Sequence, residues 1–170
     1  MKEYSVLLVD DEEDVVEAII QKIDWEGMGY SLLGYAKNGL EALEIAEEKQ
    51  VDVVLTDIKM PYMDGLTLSH KLKELYPSVK IIIFSGFDEF EYAKEAIRLE
   101  AEEYMLKPVD SVELSRIFKK VHERLDEEFD EKQNINRLKN YYMESLPILQ
   151  ESFYTSLIEG NVRQEDMERT

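Results

Sequence analysis

Three short apolar runs in the first half of the chain each lead into polar side chains. Each run is rich in valine, isoleucine and leucine and is too short for a buried helix. It is therefore typical of a strand covered on both faces of a parallel sheet. Open sheets of this kind carry their chemistry at the carboxyl ends of the strands, so we expect the polar residues to share one site. In chain order these are residues 6–9 with Asp10 and Asp11, residues 51–56 with Asp57, and residues 81–84 with Ser85.

Amphipathic helix patterns separate the strand patterns. Strands and helices alternate through the first 110 residues, and this alternation predicts a doubly wound α/β sheet with right-handed crossovers. The predicted strands are residues 4–9, 30–36, 51–56, 79–84 and 103–106.

From Ser111 onward the pattern is helical, without a further strand signal. Apolar residues recur at spacings of four, three and four positions, which is typical of heptad packing. This seam suits either packing on the chain's own domain or a parallel dimer, and the sequence leaves both open. The seam residues are Leu114, Phe118, Val121 and Leu125.

The second part of this helical region contains residues that interrupt or end a helix. We expect Pro147 to interrupt the helix because proline lacks a backbone donor. A last amphipathic helix is predicted over residues 148–158, ending at Gly160. The predicted division is a domain over residues 1–125 and a helical linker over residues 126–170.

Composition excludes several classes of function. The formal net charge is −18, which argues against a nucleic-acid-binding surface or an anionic membrane surface in this chain, since both require lysine and arginine. There are no cysteines, so disulfides and thiolate metal sites are excluded. No apolar leader follows Met1 and no apolar run approaches the ~18–20 residues that span a bilayer. We therefore expect a cytoplasmic protein.

The acids at the predicted sheet edge suit a divalent cation. Carboxylates that converge repel one another unless a cation lies between them or one takes up a proton. Mg²⁺ takes oxygen ligands and keeps several waters, so Asp11 and Asp57 with one main-chain carbonyl would form a suitable set. Softer metals are disfavoured, because cysteine is absent and His70 and His122 lie in helical stretches on polar-looking faces.

An aspartate beside Mg²⁺ can also act as a nucleophile toward phosphorus and form an acyl phosphate. That chemistry needs a second cation near the phosphoryl oxygens. Lys107 follows the fifth predicted strand, and Pro108 behind it disfavours helical geometry at the lysine. We expect a cis peptide bond there. Ser85 supplies a hydroxyl, and Gly86 lets main-chain N–H groups approach an anion.

Together these motifs resemble the receiver domain of response regulators, over about residues 1–125. The resemblance rests on Val-Asp-Asp after the first strand, on Asp57 with Lys-Met-Pro behind it, on Phe-Ser-Gly after the fourth strand, and on Tyr-Met-Leu-Lys-Pro at the fifth. It implies a flavodoxin-like, CheY-like sheet with strand order 2-1-3-4-5.

The resemblance also implies a role for each site residue. Asp57 would accept the phosphoryl group, Lys107 would contact it, Ser85 would be the switch hydroxyl, and Tyr104 would be the switch aromatic that turns inward. The implied metal ligands are Asp11, Asp57, the main-chain carbonyl of Lys59, and Asp10 through water. Lys59 and Phe87 match positions that tune dephosphorylation.

A narrower resemblance, carried by residues 85–97 and 146–153, is to receivers with an AraC-type DNA-binding output. It implies a sensor histidine kinase as partner, a DNA-binding domain elsewhere in a longer regulator, and no turnover enzyme. A homodimer would use the helix over residues 111–146 or the face of the fourth helix and fifth strand. Two alternatives stay open. One is a constitutive dimerising module that does not use phosphorylation. The other is a Mg²⁺-dependent aspartyl-phosphate phosphohydrolase, which Lys59 disfavours because such enzymes usually carry an acid there.

Overall fold

The structure of the protein is a computed structural model. It describes the backbone of residues 2–158 and the side chains in that range except those of Phe87, Tyr92, Leu99, Glu100 and residues 147–158. The chain divides into two compact units between Leu125 and Asp126. No helix in the described part of the chain is long and apolar enough to cross a membrane.

The first unit is a five-stranded parallel sheet with the order β2-β1-β3-β4-β5, which confirms the predicted fold. Two strands differ from their predicted bounds. The third begins at Val53 rather than at residue 51, and the fourth covers Lys80–Ser85 rather than residues 79–84. The strands are β1 Tyr4–Val9, β2 Tyr30–Ala36, β3 Val53–Thr56, β4 Lys80–Ser85 and β5 Glu103–Leu106. The helices are α1 Glu13–Lys22, α2 Gly39–Glu48, α3 Gly65–Leu75, α4 Phe87–Glu100 and α5 Ser111–Ile158.

Successive residues of the central strands fill two separate cores. In β1 the side chains of Val6 and Leu8 belong to one core and those of Leu7 and Val9 to the other, as the alternation of side chains along a strand requires. The first core is closed by α1 and the start of α5, and the second by α2, α3 and α4. Because both faces are covered, β3 and β4 are buried throughout.

The start of α5 is part of the first core. Every seam residue between Leu114 and Leu125 is buried, together with Ile117. Phe118 packs edge-on against Trp25 and Tyr30, and the Tyr30 hydroxyl donates a hydrogen bond to the Phe118 carbonyl. The heptad-like seam therefore packs on the chain's own sheet.

His122 does not lie on a polar face, so that part of the prediction is wrong. Its side chain is buried, its ring lies edge-on to Tyr4 and Tyr30, and its Nε2 lies 2.8 Å from the Lys2 carbonyl. The helix turns His122 toward the first strand, beside Val121, and the amino-terminal backbone supplies the polar partner.

The second unit continues as helix. The predicted interruption at Pro147 is wrong, since α5 continues to Ile158. The helical backbone thus continues through Pro147, although proline removes one backbone donor. The described side chains from residue 127 to residue 144 are exposed. Gly160, the predicted end of the last helix, lies outside the described residues.

Candidate functional site

Four strand ends bring the predicted site residues together. Asp10 follows β1, Asp57 follows β3, Ser85 ends β4 and Lys107 follows β5. The Lys107 Nζ lies 3.1 Å from Asp57 Oδ2 and 3.7 Å from Asp10 Oδ2. The Lys107 amide donates to the Ser85 carbonyl at 2.8 Å, which ties the lysine to the end of the neighbouring strand. The Lys107–Pro108 peptide bond is cis, as expected.

The three acids form a compact oxygen cluster. One carboxylate oxygen from each of Asp10, Asp11 and Asp57 lies within 4.8 Å of the other two. Asp10 is 3% exposed and Asp57 is 4% exposed, whereas Asp11 is exposed. The cluster is thus closed on the protein side and open where Asp11 meets solvent.

Backbone hydrogen bonds hold Asp57 in place. Its amide donates to the Val9 carbonyl at 3.0 Å, and its Oδ1 accepts from the Ile58 amide at 2.8 Å. With Lys107 on the other oxygen, both carboxylate oxygens are oriented. The Gly65 amide donates to the Ile58 carbonyl at 2.8 Å, which draws the start of α3 against the aspartate.

Gly65 is a positioning residue that the sequence analysis missed. A Cβ atom on Gly65 would lie 1.8 Å from the Asp57 carbonyl oxygen, so only glycine fits this close approach. The signal in the sequence was Asp64-Gly65 at a helix start, where the Asp64 carboxylate accepts from the Thr67 amide. Such a pair is common at helix starts, and nothing in it reveals that Asp57 lies opposite.

Burial sets the electrostatics of the site. It raises the pKa of Asp57 to about 6, against the opposing effect of the Lys107 ammonium. Burial also raises the pKa of Asp10. For Lys107, burial lowers the pKa, but the Asp57 and Asp10 carboxylates outweigh it and the net pKa is raised. The lysine is therefore charged, and it does not fully compensate the two buried acids.

The donor set fits Mg²⁺. Asp10 Oδ1 accepts from the Glu12 amide at 2.9 Å, while the buried Oδ2 accepts no hydrogen bond from any described residue. An unsatisfied carboxylate oxygen in a cluster of oxygen ligands suits a hard cation. The Lys59 side chain is exposed in the loop after β3. Because a lysine ammonium is itself a cation, the main-chain carbonyl is the group of this residue that suits a metal.

The proposed switch residues lie at the β4–β5 side of the site. Ser85 is buried. Tyr104 is 45% exposed, and its ring stacks on Phe90 of α4 with 4.5 Å between the ring centroids. The Tyr104 ring is therefore partly exposed and lies against α4. The side chain of Phe87 lies outside the described residues.

Comparison with known proteins agrees with this arrangement. The family model for the response regulator receiver domain matches residues 6–119. The transcriptional regulatory protein YesN of Bacillus subtilis is 47% identical over 111 residues, which is 65% of this chain and 30% of that protein. The chain thus spans about a third of that relative's length.

Two solved structures are similar as well. The receiver domain of the response regulator AraT from Geobacillus stearothermophilus is 43% identical with a TM-score of 0.70, over 74% of this chain and 97% of that one. A two-component transcriptional regulator AraC from Clostridium phytofermentans is 34% identical with a TM-score of 0.66, over 71% and 93%. With the family model covering more than half of its length, the chain belongs to the response regulator receiver domain family.

Proposed function

We propose that this chain receives a phosphoryl group on Asp57 from a sensor histidine kinase and thereby controls a DNA-binding output. One observation carries the proposal. The buried Asp57 carboxylate lies 3.1 Å from the Lys107 ammonium, beside the unsatisfied Asp10 oxygen. A carboxylate, a fixed ammonium group and further carboxylate oxygens at one sheet edge support this proposal, since phosphoryl transfer uses a nucleophile, a cation and a metal site together.

The reaction uses the ionised form of Asp57. Because its pKa is about 6, the carboxylate is mostly ionised at neutral pH. One of its oxygens forms the bond to phosphorus as the phosphorus–nitrogen bond to the kinase histidine breaks, and the imidazole leaves with that bond's electron pair. Lys107 lies where it contacts the phosphoryl oxygens.

Mg²⁺, when bound, neutralises charge on the phosphoryl oxygens. We assign its ligands to Asp11, Asp57 and the Lys59 carbonyl, with Asp10 acting through water. The charge that Lys107 alone leaves uncompensated in the acid cluster is what this ion would balance.

The response to phosphorylation involves Ser85 and Tyr104. The Ser85 hydroxyl donates to a phosphoryl oxygen, which draws the start of α4 inward, and the Tyr104 ring leaves Phe90 and turns toward the core. The population shifts to a state with a different α4–β5 surface. Besides the helix over residues 111–146, this surface is a candidate for the contact in a homodimer. The transcriptional regulators among the similar proteins support an AraC-type output in the full-length protein. We place that protein in the cytoplasm, where the kinase domain would meet it.

The experiment is acyl-phosphate formation with a labelled small phosphodonor and Mg²⁺. Asp57→Asn removes the nucleophile, so labelling should fall to background. Asp130→Asn makes the same chemical change at an exposed position of the second unit and should label like the wild type. Undiminished labelling of the Asp57→Asn protein would contradict the assignment.

The alternatives make different predictions. A phosphohydrolase would release phosphate from small esters over many turnovers, but the residue two positions after Asp57 is the exposed Lys59, which supplies no general acid. A module that is independent of phosphorylation would have no use for the paired Asp57 and Lys107. Absence of label on the wild-type protein, with Mg²⁺ present, would favour that module.

A further inference from the structure

The second unit carries an apolar stripe on its exposed helix. Its members are Ile135, Leu138 and Tyr142, whose side chains are 56%, 70% and 57% exposed. The spacings of three and four residues place them on one face. A helix gains most of its stability from packing an apolar face, so a stripe left in water calls for a partner.

We propose that this tail stripe pairs with the same stripe of a second copy of the chain, in a parallel two-stranded coiled coil that forms without phosphorylation. With Ile135 at heptad position a, Leu138 takes position d and Tyr142 the next a. A β-branched residue at a with leucine at d favours two parallel strands. The inference does not rest on phosphoryl transfer, because the stripe lies in the second unit, whereas Asp57 and Lys107 belong to the first.

Charges beside the stripe fit this pairing. Glu127 falls at position g and Lys132 at the following e, which are the positions that meet between the two strands of a parallel coiled coil. Both side chains are exposed. Each dimer would contain this pair of opposite charges twice, and the next pair, Asn134 with Lys139, adds no like charges.

The acids before the stripe set where the interface begins. Glu128 occupies position a and Glu131 position d, so a second copy would bring like charges together there. The earlier seam, from Leu114 to Leu125, is buried in the first unit and has no surface left to offer. The apolar part of the interface therefore starts near Lys132 and runs toward Tyr142, with Glu127 and Glu131 on its amino-terminal flank and Ser145 on its carboxyl-terminal flank.

The first test is the mass of the full chain in solution, by light scattering, without Mg²⁺ or a phosphodonor. We expect a dimer. Leu138→Glu should raise the dimer dissociation constant about 100-fold, as loss of a central interface residue does. Asn140→Glu, which adds the same charge at position f on the opposite face, should leave the dimer intact.

Two outcomes of this test would overturn the inference. One is a wild-type monomer at about 100 µM, a concentration at which even a weak specific dimer forms. The other is a Leu138→Glu protein that dimerises as well as the wild type, which would place any dimer contact on another surface. Circular dichroism of both variants should match the wild type, so that a folding defect is not mistaken for loss of the interface.

The second test is orientation, and the absence of cysteine makes it clean. Single cysteines at position d, in Glu131→Cys, Leu138→Cys and Ser145→Cys, should each form a disulfide between like residues. Asn140→Cys at position f should not. Cross-linking at one of the three d positions alone would indicate antiparallel strands and contradict the parallel assignment.

Charge reversal tests the register. Lys132→Glu places like charges across the interface and should weaken the dimer, whereas the double variant Glu127→Lys with Lys132→Glu should restore it. Failure of the double variant to recover dimerisation would show that these residues do not face each other, and the proposed register would be wrong.

Discussion

At the scale of single residues, the site depends on Asp57, a carboxylate that is buried although burial disfavours its charge. Asp57 is buried beside Asp10, and the Lys107 ammonium lies near both carboxylates. Burial disfavours the charged form of a carboxylate, and a neighbouring acid does the same. Folding therefore costs more free energy when Asp57 is ionised than when it is protonated.

This raised pKa has a measurable consequence for stability. The folded-state pKa of about 6 exceeds the unfolded value, so the folded protein binds more protons between about pH 4 and pH 6 and loses stability as the pH rises through that window. Asp57→Asn should abolish this loss. Without Mg²⁺ the variant should be more stable than the wild type by about 3 kcal/mol at pH 7.

Urea unfolding at several pH values measures this difference. It should shrink as the pH falls and approach zero below about pH 3, where the wild-type carboxyl is protonated in both states. Asp130→Asn, at an exposed site, should follow the wild-type curve throughout. An Asp57→Asn protein that is less stable than the wild type at pH 7 would show that hydrogen bonds from Ile58 and Lys107 outweigh the cost of burial.

At the scale of elements, the loop from β3 to α3 decides where Asp57 lies. The loop closes because the Gly65 amide reaches the Ile58 carbonyl and the glycine backbone touches the Asp57 carbonyl. The start of α3 is thus packed against the backbone of Asp57 itself, without an intervening side chain.

Substitution of this glycine should therefore affect both stability and labelling. Gly65→Ala places a methyl group against backbone, and we expect a loss of about 3 kcal/mol or more in the free energy of unfolding, by analogy with overpacked sites. Labelling of Asp57 should fall as well, because the loop must move. Gly86→Ala is the matched control for stability, since nothing lies within 4 Å of its added Cβ. Equal stability of the two variants in urea would contradict the close approach.

At the scale of the whole molecule, one helix serves two units. In the first unit the side chains of α5 up to Leu125 fill the core beside Trp25 and Tyr30. In the second unit the side chains from residue 127 to residue 144 are exposed. The same element is thus a core helix in one part and a helix with an uncovered apolar stripe in the other.

Two phenylalanines on α5 test this division. Phe118→Ala opens a cavity in the core and should cost about 3–5 kcal/mol of stability. Phe129→Ala, at a side chain that is 37% exposed, should cost much less. The measurement is the urea midpoint of both variants at a fixed protein concentration, because dimerisation makes stability depend on concentration. A small effect of Phe118→Ala would mean that the start of α5 does not belong to the folded core.

Local pattern was sufficient for much of this protein. Short β-branched runs with polar ends specify buried parallel strands and place Asp10, Asp57, Ser85 and Lys107 at one sheet edge, because strand type and strand direction follow from composition and connectivity. The alternation with helices likewise specified the doubly wound class.

Other features were decided by tertiary structure. Periodicity shows that a helix has an apolar face but does not say what covers it, so the seam from Leu114 to Leu125 left core packing and dimerisation open until the sheet was in place. His122 faces Tyr4 and Tyr30 for the same reason, and Gly65 meets Asp57 only after the loop has closed. Contacts between residues distant in sequence form only as the chain folds, and a local sequence pattern does not predict them.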